Sequence, residues 1–180
     1  MAPISNVKIS VLVYSKLCFT SFIESANKRE VVFHMRRNIL VINDIFSITV
    51  FKKKFDKYHI NITGIKLPSH VNTVIKWVVD FYCPEKYFTI LKYCIDNITA
   101  TFDIGSSVPL NYIASLNNSM KYNPERFPGL FYKTEYGTAL IFNSGKVNIV
   151  GCKSENNVIL IWQKIQNMLS AVTEKKISWK

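Results

Sequence analysis

The stretches INITGIK at residues 60–66 and VNIVGCK at 147–153 decide how this chain is read. Four of their seven positions are identical, and two more exchange one apolar side chain for another. Gly64 and Gly151 lie 87 residues apart in a chain of 180, close to half its length. Each copy is followed by a helix-like run with a tryptophan, Trp77 after the first and Trp162 after the second. Asn6-Val7 and Asn97-Ile98, 91 residues apart, each open a strand pattern. Self-similarity at a fixed spacing marks a repeated supersecondary unit. We therefore read two divergent copies, residues 1–88 and 89–180, that together make one domain.

The second copy shows the unit more plainly. Residues 97–102 alternate polar and apolar, as a half-buried strand does. Pro109 suits the first turn of a helix over 109–118, with Leu110, Ile113, Ala114 and Leu116 at helical spacing. Residues 127–135, 138–143 and 146–150 read as three more strands, joined across Tyr136 and Gly137 and across Ser144 and Gly145. Ser154 then caps a long helix, with Val158, Ile161, Ile165, Leu169 and Val172 on one stripe. The expected fold class is α+β, an antiparallel sheet with helices on one side. If the helices cover Val147, Ile149, Ala139 and Ile141, the other face carries Thr138, Leu140, Phe142, Asn148 and Val150. An apolar face left open in this way usually marks a binding surface; a one-residue slip in register would exchange the two faces.

Composition narrows the partner. Lysine and arginine number 23 against 12 acids, a net charge of +11, and apolar residues make up 48%. Both halves are basic, with 13 cations and 6 anions in residues 1–90 and 10 and 6 in 91–180. Such a chain favours a polyanion, most often nucleic acid. The carboxylates are too dispersed for paired acid–base work or a metal loop. His34, His59 and His70 form no zinc-binding pattern. Cys18, Cys83, Cys94 and Cys152 contain no closely spaced pair and are expected to be reduced thiols in an intracellular protein. Gly145-Lys146 lacks the remainder of a phosphate-binding loop. No catalytic constellation, cofactor, metal site, signal peptide or membrane span is expected.

At FPGLFY (127–132), TALIFNSGK (138–146) and VNIVGCK (147–153) the chain closely resembles the second half of the TATA-box-binding-protein core, and YNPERFPGLFY at 122–132 is specific to that family. The resemblance is strong over about 95–172 and holds only in outline over 1–88. It implies a saddle of two pseudo-symmetric repeats, a curved antiparallel sheet with helices on the convex side. It also implies a general transcription factor that binds and bends the A·T-rich minor groove, a mode of which this family is the type case. By resemblance Asn97 and its counterpart Asn6 donate to base acceptors, while Thr99, Leu140 and Val150 press on sugars and base edges. Phe127 and Phe142 form a wedge pair that unstacks a base step. Lys133, Lys146 and Lys153 face phosphates. In the first copy Phe51, Asn61 and Thr63 take the places of Phe142, Asn148 and Val150.

The departures are specific. Asn61 and Asn148 stand where the family carries valine. Lys8 falls at a position that is apolar in the family, and the best alignment puts Glu30 where the first wedge phenylalanine belongs. The hairpin after Phe51 is enlarged and basic, with Lys52, Lys53, Lys54, Phe55, Asp56 and Lys57. These features support an alternative, a scaffold of the same fold that holds a protein partner and bends DNA weakly or not at all. The partners implied are double-stranded A·T-rich DNA and initiation factors resembling IIA and IIB or polymerase subunits. The helices over 69–82 and 154–172 would carry the protein contacts, and the apolar face would allow a homodimer of the free protein. The expected location is the nucleus, or the site of viral transcription; the Ile, Asn and Lys richness fits an A·T-rich genome, viral or parasitic.

Overall fold

A computed structural model of the chain describes residues 2–16, 18–83 and 88–177, without the side chains of residue 18 and of 172–177. The elements run β1 (Ile4–Ser15), α1 (Cys18–Lys28), β2 (Phe33–Arg36), β3 (Ile39–Asn43), β4 (Ser47–Lys52), β5 (Lys57–Ile65), a 3-10 turn (Pro68–His70), α2 (Val71–Tyr82) and β6 (Phe88–Asp103). They continue through α3 (Leu110–Ser115), β7 (Met120–Lys121), β8 (Gly129–Lys133), β9 (Thr138–Phe142), β10 (Lys146–Cys152) and α4 (Glu155–Ile177). The chain divides into two compact units, Asn6–Asp96 and a second made of Asn97–Lys180 with the first five residues. The division falls inside β6, because that strand runs unbroken through residue 96.

The first unit is an antiparallel sheet in the order β2-β3-β4-β5-β1. Strand alternation sorts its side chains by face. Ile48, Val50, Tyr58, Ile60, Ile62 and Ile65 are buried on the side of α1 and α2, which meet through the stacked rings of Phe22 and Tyr82. Thr49, Phe51, His59, Asn61 and Thr63 lie on the other face, which the helices leave open.

The helix side of this unit is pinned by one charged group. Asp44 Oδ2 accepts from Tyr82 Oη at 2.6 Å and from Arg29 Nε at 3.0 Å, and Asp44 Oδ1 accepts from the Ile45 N–H at 2.8 Å. The Arg29 guanidinium also lies over Phe81 and Trp77, 4.6 and 5.3 Å from their ring centres. Burial alone would raise the Asp44 pKa, but the bonds from Tyr82, Ile45 and Arg29 outweigh it and hold the carboxyl below its ordinary range. Burial and the Asp44 charge push the Tyr82 phenol up. Asp44→Asn should therefore cost about 2 kcal/mol of stability, since hydrogen bonds to a charged group contribute roughly 1.5–3. A carboxyl with a depressed folded pKa stabilises above its unfolded pKa, and that stability is lost as pH falls through the folded value. The difference in Tm between wild type and variant should thus be full at neutral pH and shrink in acid below about pH 4. A pH-independent difference would mean that Asp44 acts by shape alone.

The second unit repeats the plan, with sheet order β6-β10-β9-β8-β7. Ala139, Ile141, Val147, Ile149 and Cys152 are buried toward the helices, together with Val158, Ile161 and Ile165 of α4, and Phe102 stacks on Trp162 with ring centres 4.2 Å apart. The faces fall as the alternation predicts, leaving Thr138, Leu140, Phe142, Asn148 and Val150 open. Ser154 Oγ accepts from the Asn157 N–H at 3.2 Å, the expected N-cap of α4. Val172, expected on the α4 stripe, lies outside the described side chains. Several elements differ in extent from the expectation: helix α3 stops at Ser115, β6 begins at Phe88, well before Asn97, β8 covers only Gly129–Lys133, and β10 runs on to Cys152. Cys94 and Cys152 are free thiols, and the side chain of Cys18 lies outside the described residues. Among the described residues no helix is long and apolar enough to cross a membrane, and no three His, Cys, Asp or Glu side chains gather where they could hold a metal.

Candidate nucleic-acid interface

Each unit carries the same device at the edge of its open face. In the second, register shifts between Ile149 and Cys152, and Gly151 sits at φ +83°, a conformation that glycine adopts without strain. The Gly151 N–H released by this bulge donates to Asn97 Oδ1 at 2.7 Å. In the first, Gly64 at φ +100° donates its N–H to Asn6 Oδ1 at 2.8 Å. A backbone N–H can only donate, so the atom that meets it must be the amide oxygen. Both carboxamides are therefore oriented, and the end each presents away from the bulge is its NH2, a donor. The repeated Asn and Gly of the sequence are one structural device.

Register also equates the remaining open-face positions of the two units. Asn148 pairs with Leu140 and Thr101, and Asn61 with Thr49 and Ser10. The two amides nevertheless sit differently. Asn148 Oδ1 accepts from Thr101 Oγ1 at 3.2 Å. Ser10 Oγ instead donates to Asp96 Oδ1 at 2.9 Å, and Asn61 Oδ1 is left buried with no partner among the described residues. Lys8, at the position equivalent to Thr99, lies 3.9 Å from Asp96 Oδ2. The first unit's face is thus polar where the second presents Thr99, Leu140 and Val150. Thr99 itself meets Ser5, hydroxyl to hydroxyl at 2.9 Å.

The apolar end of the second face is an aromatic cluster. Phe127 lies 5.0 Å from Phe131 and 6.0 Å from Phe142, ring centre to ring centre. Gly129, directly opposite Phe142 in the ladder, makes room for it: a Cβ there would stand 2.7 Å from Phe127 Cε1 and 3.1 Å from Phe142 Cε1. Sequence reasoning missed Gly129 and Phe131. The signal was available in parity, since 127, 129 and 131 share a face in a period of two, and Phe131 is 41% exposed there. Lys121, across from Phe131 on β7, was also missed. Lys133 and Lys146 are exposed at the ends of β8 and β10, and Lys153 follows β10.

Among the described residues the first unit has no such cluster on its open face, and the placement of Glu30 is corrected. Phe51 lies opposite Ile39 as Phe142 lies opposite Gly129, so β3 and not residues 31–36 is the counterpart of β8. Counting back from Ile39, Arg37 takes the place of Phe127, while Glu30 lies in the turn between α1 and β2. The alignment failed because the link from β2 to β3 is five residues shorter than the link from β7 to β8, leaving only Arg37 and Asn38 between strands. Ile39 also fills with a side chain the space that Gly129 leaves for a ring. Among the described residues Phe51 is the phenylalanine that remains at this end, tilted against the His59 imidazole with ring centres 6.3 Å apart.

Comparison with known proteins agrees with this geometry. Residues 92–172 match the family model described as transcription factor TFIID, or TATA-binding protein. The TATA-box-binding protein of Methanocaldococcus jannaschii is 40% identical over 119 residues, 64% of this chain and 65% of that protein. That of Pyrodictium occultum is 42% identical over 73 residues, 39% of this chain and 37% of its own length. The matched stretches thus span from about a third to two thirds of these relatives. The solved structure of the Methanococcus jannaschii TATA-binding protein superposes with a TM-score of 0.72 at 26% identity, covering 93% of this chain and 97% of that one. In sequence over the second unit and in fold over nearly the whole length, the chain is similar to the TATA-box-binding proteins.

Proposed function

We propose that the protein is a transcription factor that binds the minor groove of A·T-rich DNA through its open sheet faces, bends it, and recruits transcription machinery through its helices. What carries this reading is the second unit's open face, where an oriented Asn97 donor shares the sheet with the Phe127–Phe142 cluster. The minor groove of A·T pairs offers only acceptors at its floor, adenine N3 and thymine O2, so donors and apolar surface are what fit it. A ring driven between base steps costs a few kcal/mol of stacking per step, offset by the surface that a bent duplex covers. The bend is asymmetric in this proposal. Phe127 and Phe142 open the step on the second unit's side; Phe51 acts without a second ring on the other. Asn6, Asn61 and Thr63 contact the floor from the first unit, and Asn97, Thr99, Leu140, Asn148 and Val150 from the second. Lys133, Lys146 and Lys153 neutralise phosphates. Initiation factors and polymerase subunits are the partners proposed for α2 and α4.

The test is energy transfer between dyes at the two ends of a short duplex, one series containing an A·T-rich site and one a G·C-matched control, at moderate salt. Selective binding that shortens the end-to-end distance is the expected result. Binding to both duplexes with no shortening would leave only the basic surface in play. No binding to either would favour the scaffold reading, for which Lys8, Asp96 and Asn61 on the first unit's open face are the support.

A further inference from the structure

The hairpin joining β4 to β5 departs most from its counterpart. In the second unit Phe142 and Val147, on adjoining strands, are five positions apart; in the first the equivalent Phe51 and Ile60 are nine apart. The added four residues carry the hairpin about two residues per strand farther, roughly 7 Å. Lys52, Lys53, Lys54 and Lys57 line this extension, all exposed, and among the described residues none of them forms an ion pair. At its tip Phe55 and Asp56 hold φ values of 58° and 53°, a left-handed conformation that side chains with a Cβ avoid. The tip is held in place: the Ser15 N–H donates to Asp56 O at 3.0 Å and the Lys53 N–H to Lys57 O at 2.8 Å. Phe55 is 83% exposed, more than any other large apolar side chain described.

Strain and an apolar ring in water thus fall on one residue, ringed by cations, on the same strand end as Phe51. Strain of this kind is typically retained where a site uses it. Resting on the function proposed above, we propose that this hairpin is a DNA clamp that lengthens the site on the first unit's side. Its lysines neutralise phosphates beyond the step at Phe51, and Phe55 packs on a deoxyribose at the groove edge. The first unit thereby regains, from the neighbouring hairpin, the apolar contact that its shortened β2–β3 link and Ile39 have removed. An extension of about 7 Å corresponds to roughly two base pairs at 3.4 Å each.

The test compares a long A·T-rich duplex with one cut about two base pairs short at each end, using wild type, Phe55→Gly and the double variant Lys53→Gln/Lys54→Gln. On the long duplex the double variant should bind at least tenfold more weakly at physiological salt, with a log–log salt slope smaller by about two. Phe55→Gly should bind severalfold more weakly although its Tm rises, since glycine relieves the left-handed strain. On the short duplex all three proteins should bind alike. Equal losses on both duplexes, unchanged binding on the long one, or an unchanged salt slope would overturn the clamp while leaving the proposed function standing. Wild type that binds neither duplex would overturn both.

Discussion

Changing Asn97 to aspartate is expected to weaken binding to an A·T-rich duplex about a hundredfold, while the folded protein melts where the wild type does. The expectation comes from which end of the amide is already used. Asn97 Oδ1 accepts the Gly151 N–H at 2.7 Å, and a carboxylate accepts the same bond at least as well, so the bulge keeps its partner. What changes is the outward end, where a donor becomes a charged acceptor. Facing adenine N3 and thymine O2, it turns a hydrogen bond into a repulsive contact between desolvated acceptors, a cost of about 3 kcal/mol or a factor of roughly a hundred. No lysine or arginine is altered, so the salt slope should stay as it was. The measurement is competition between A·T-rich and G·C-matched duplexes across a salt series. Loss confined to the A·T-rich duplex supports floor contact by Asn97; equal loss on both would mean that the added charge acts at long range and that Asn97 reads nothing.

The same pair of residues shows how far the sequence could be read. Two Asn and Gly motifs at nearly equal spacing announced two copies of a unit, and strand alternation assigned covered and open faces correctly, because a period of two leaves little freedom once one face is apolar. That the Asn side chain closes on the Gly N–H was not legible. It depends on a bulge shifting the ladder between Ile149 and Cys152, and a bulge leaves no trace in periodicity. The first unit's wedge was misplaced for a related reason. Alignment by spacing carried the seven-residue link before Gly129 into a hairpin that has only Arg37 and Asn38, so the error ran back as far as Glu30. Asn61 is a third case. Its symmetry with Asn148 was visible, but whether its oxygen finds a partner turned on Ser10, whose hydroxyl bonds to Asp96. Local pattern reveals which face a residue lies on; which neighbour it bonds there is decided by side chains distant in the chain.

Phe142→Ala should lower the bend of an A·T-rich duplex far more than it lowers binding to unrelated DNA, and Gly129→Ala should do the same without touching either ring's chemistry. Nonspecific binding comes from phosphate neutralisation, which neither change affects. Opening a base step, by contrast, needs a ring of a given size at a given place, and Phe127 and Phe142 have their positions because Gly129 lacks a Cβ between them. The Gly129 φ lies outside the left-handed region, so alanine is permitted by its backbone and the new methyl acts only on the rings. It must displace Phe127, 2.7 Å from that methyl, and crowd Phe142 at 3.1 Å. Phe127 is half-exposed and can swing outward, so the stability cost should stay near 1 kcal/mol, within the usual range for overpacking. End-to-end energy transfer on the bound duplex measures the bend, and a filter or gel assay on G·C-rich DNA measures the background. Because both substitutions spoil one wedge, their combined effect should be less than the sum of the single effects, as coupled neighbours require. Additive losses, or equal losses of bending and background binding, would show that the cluster is sheet packing and that the duplex is bent by something else.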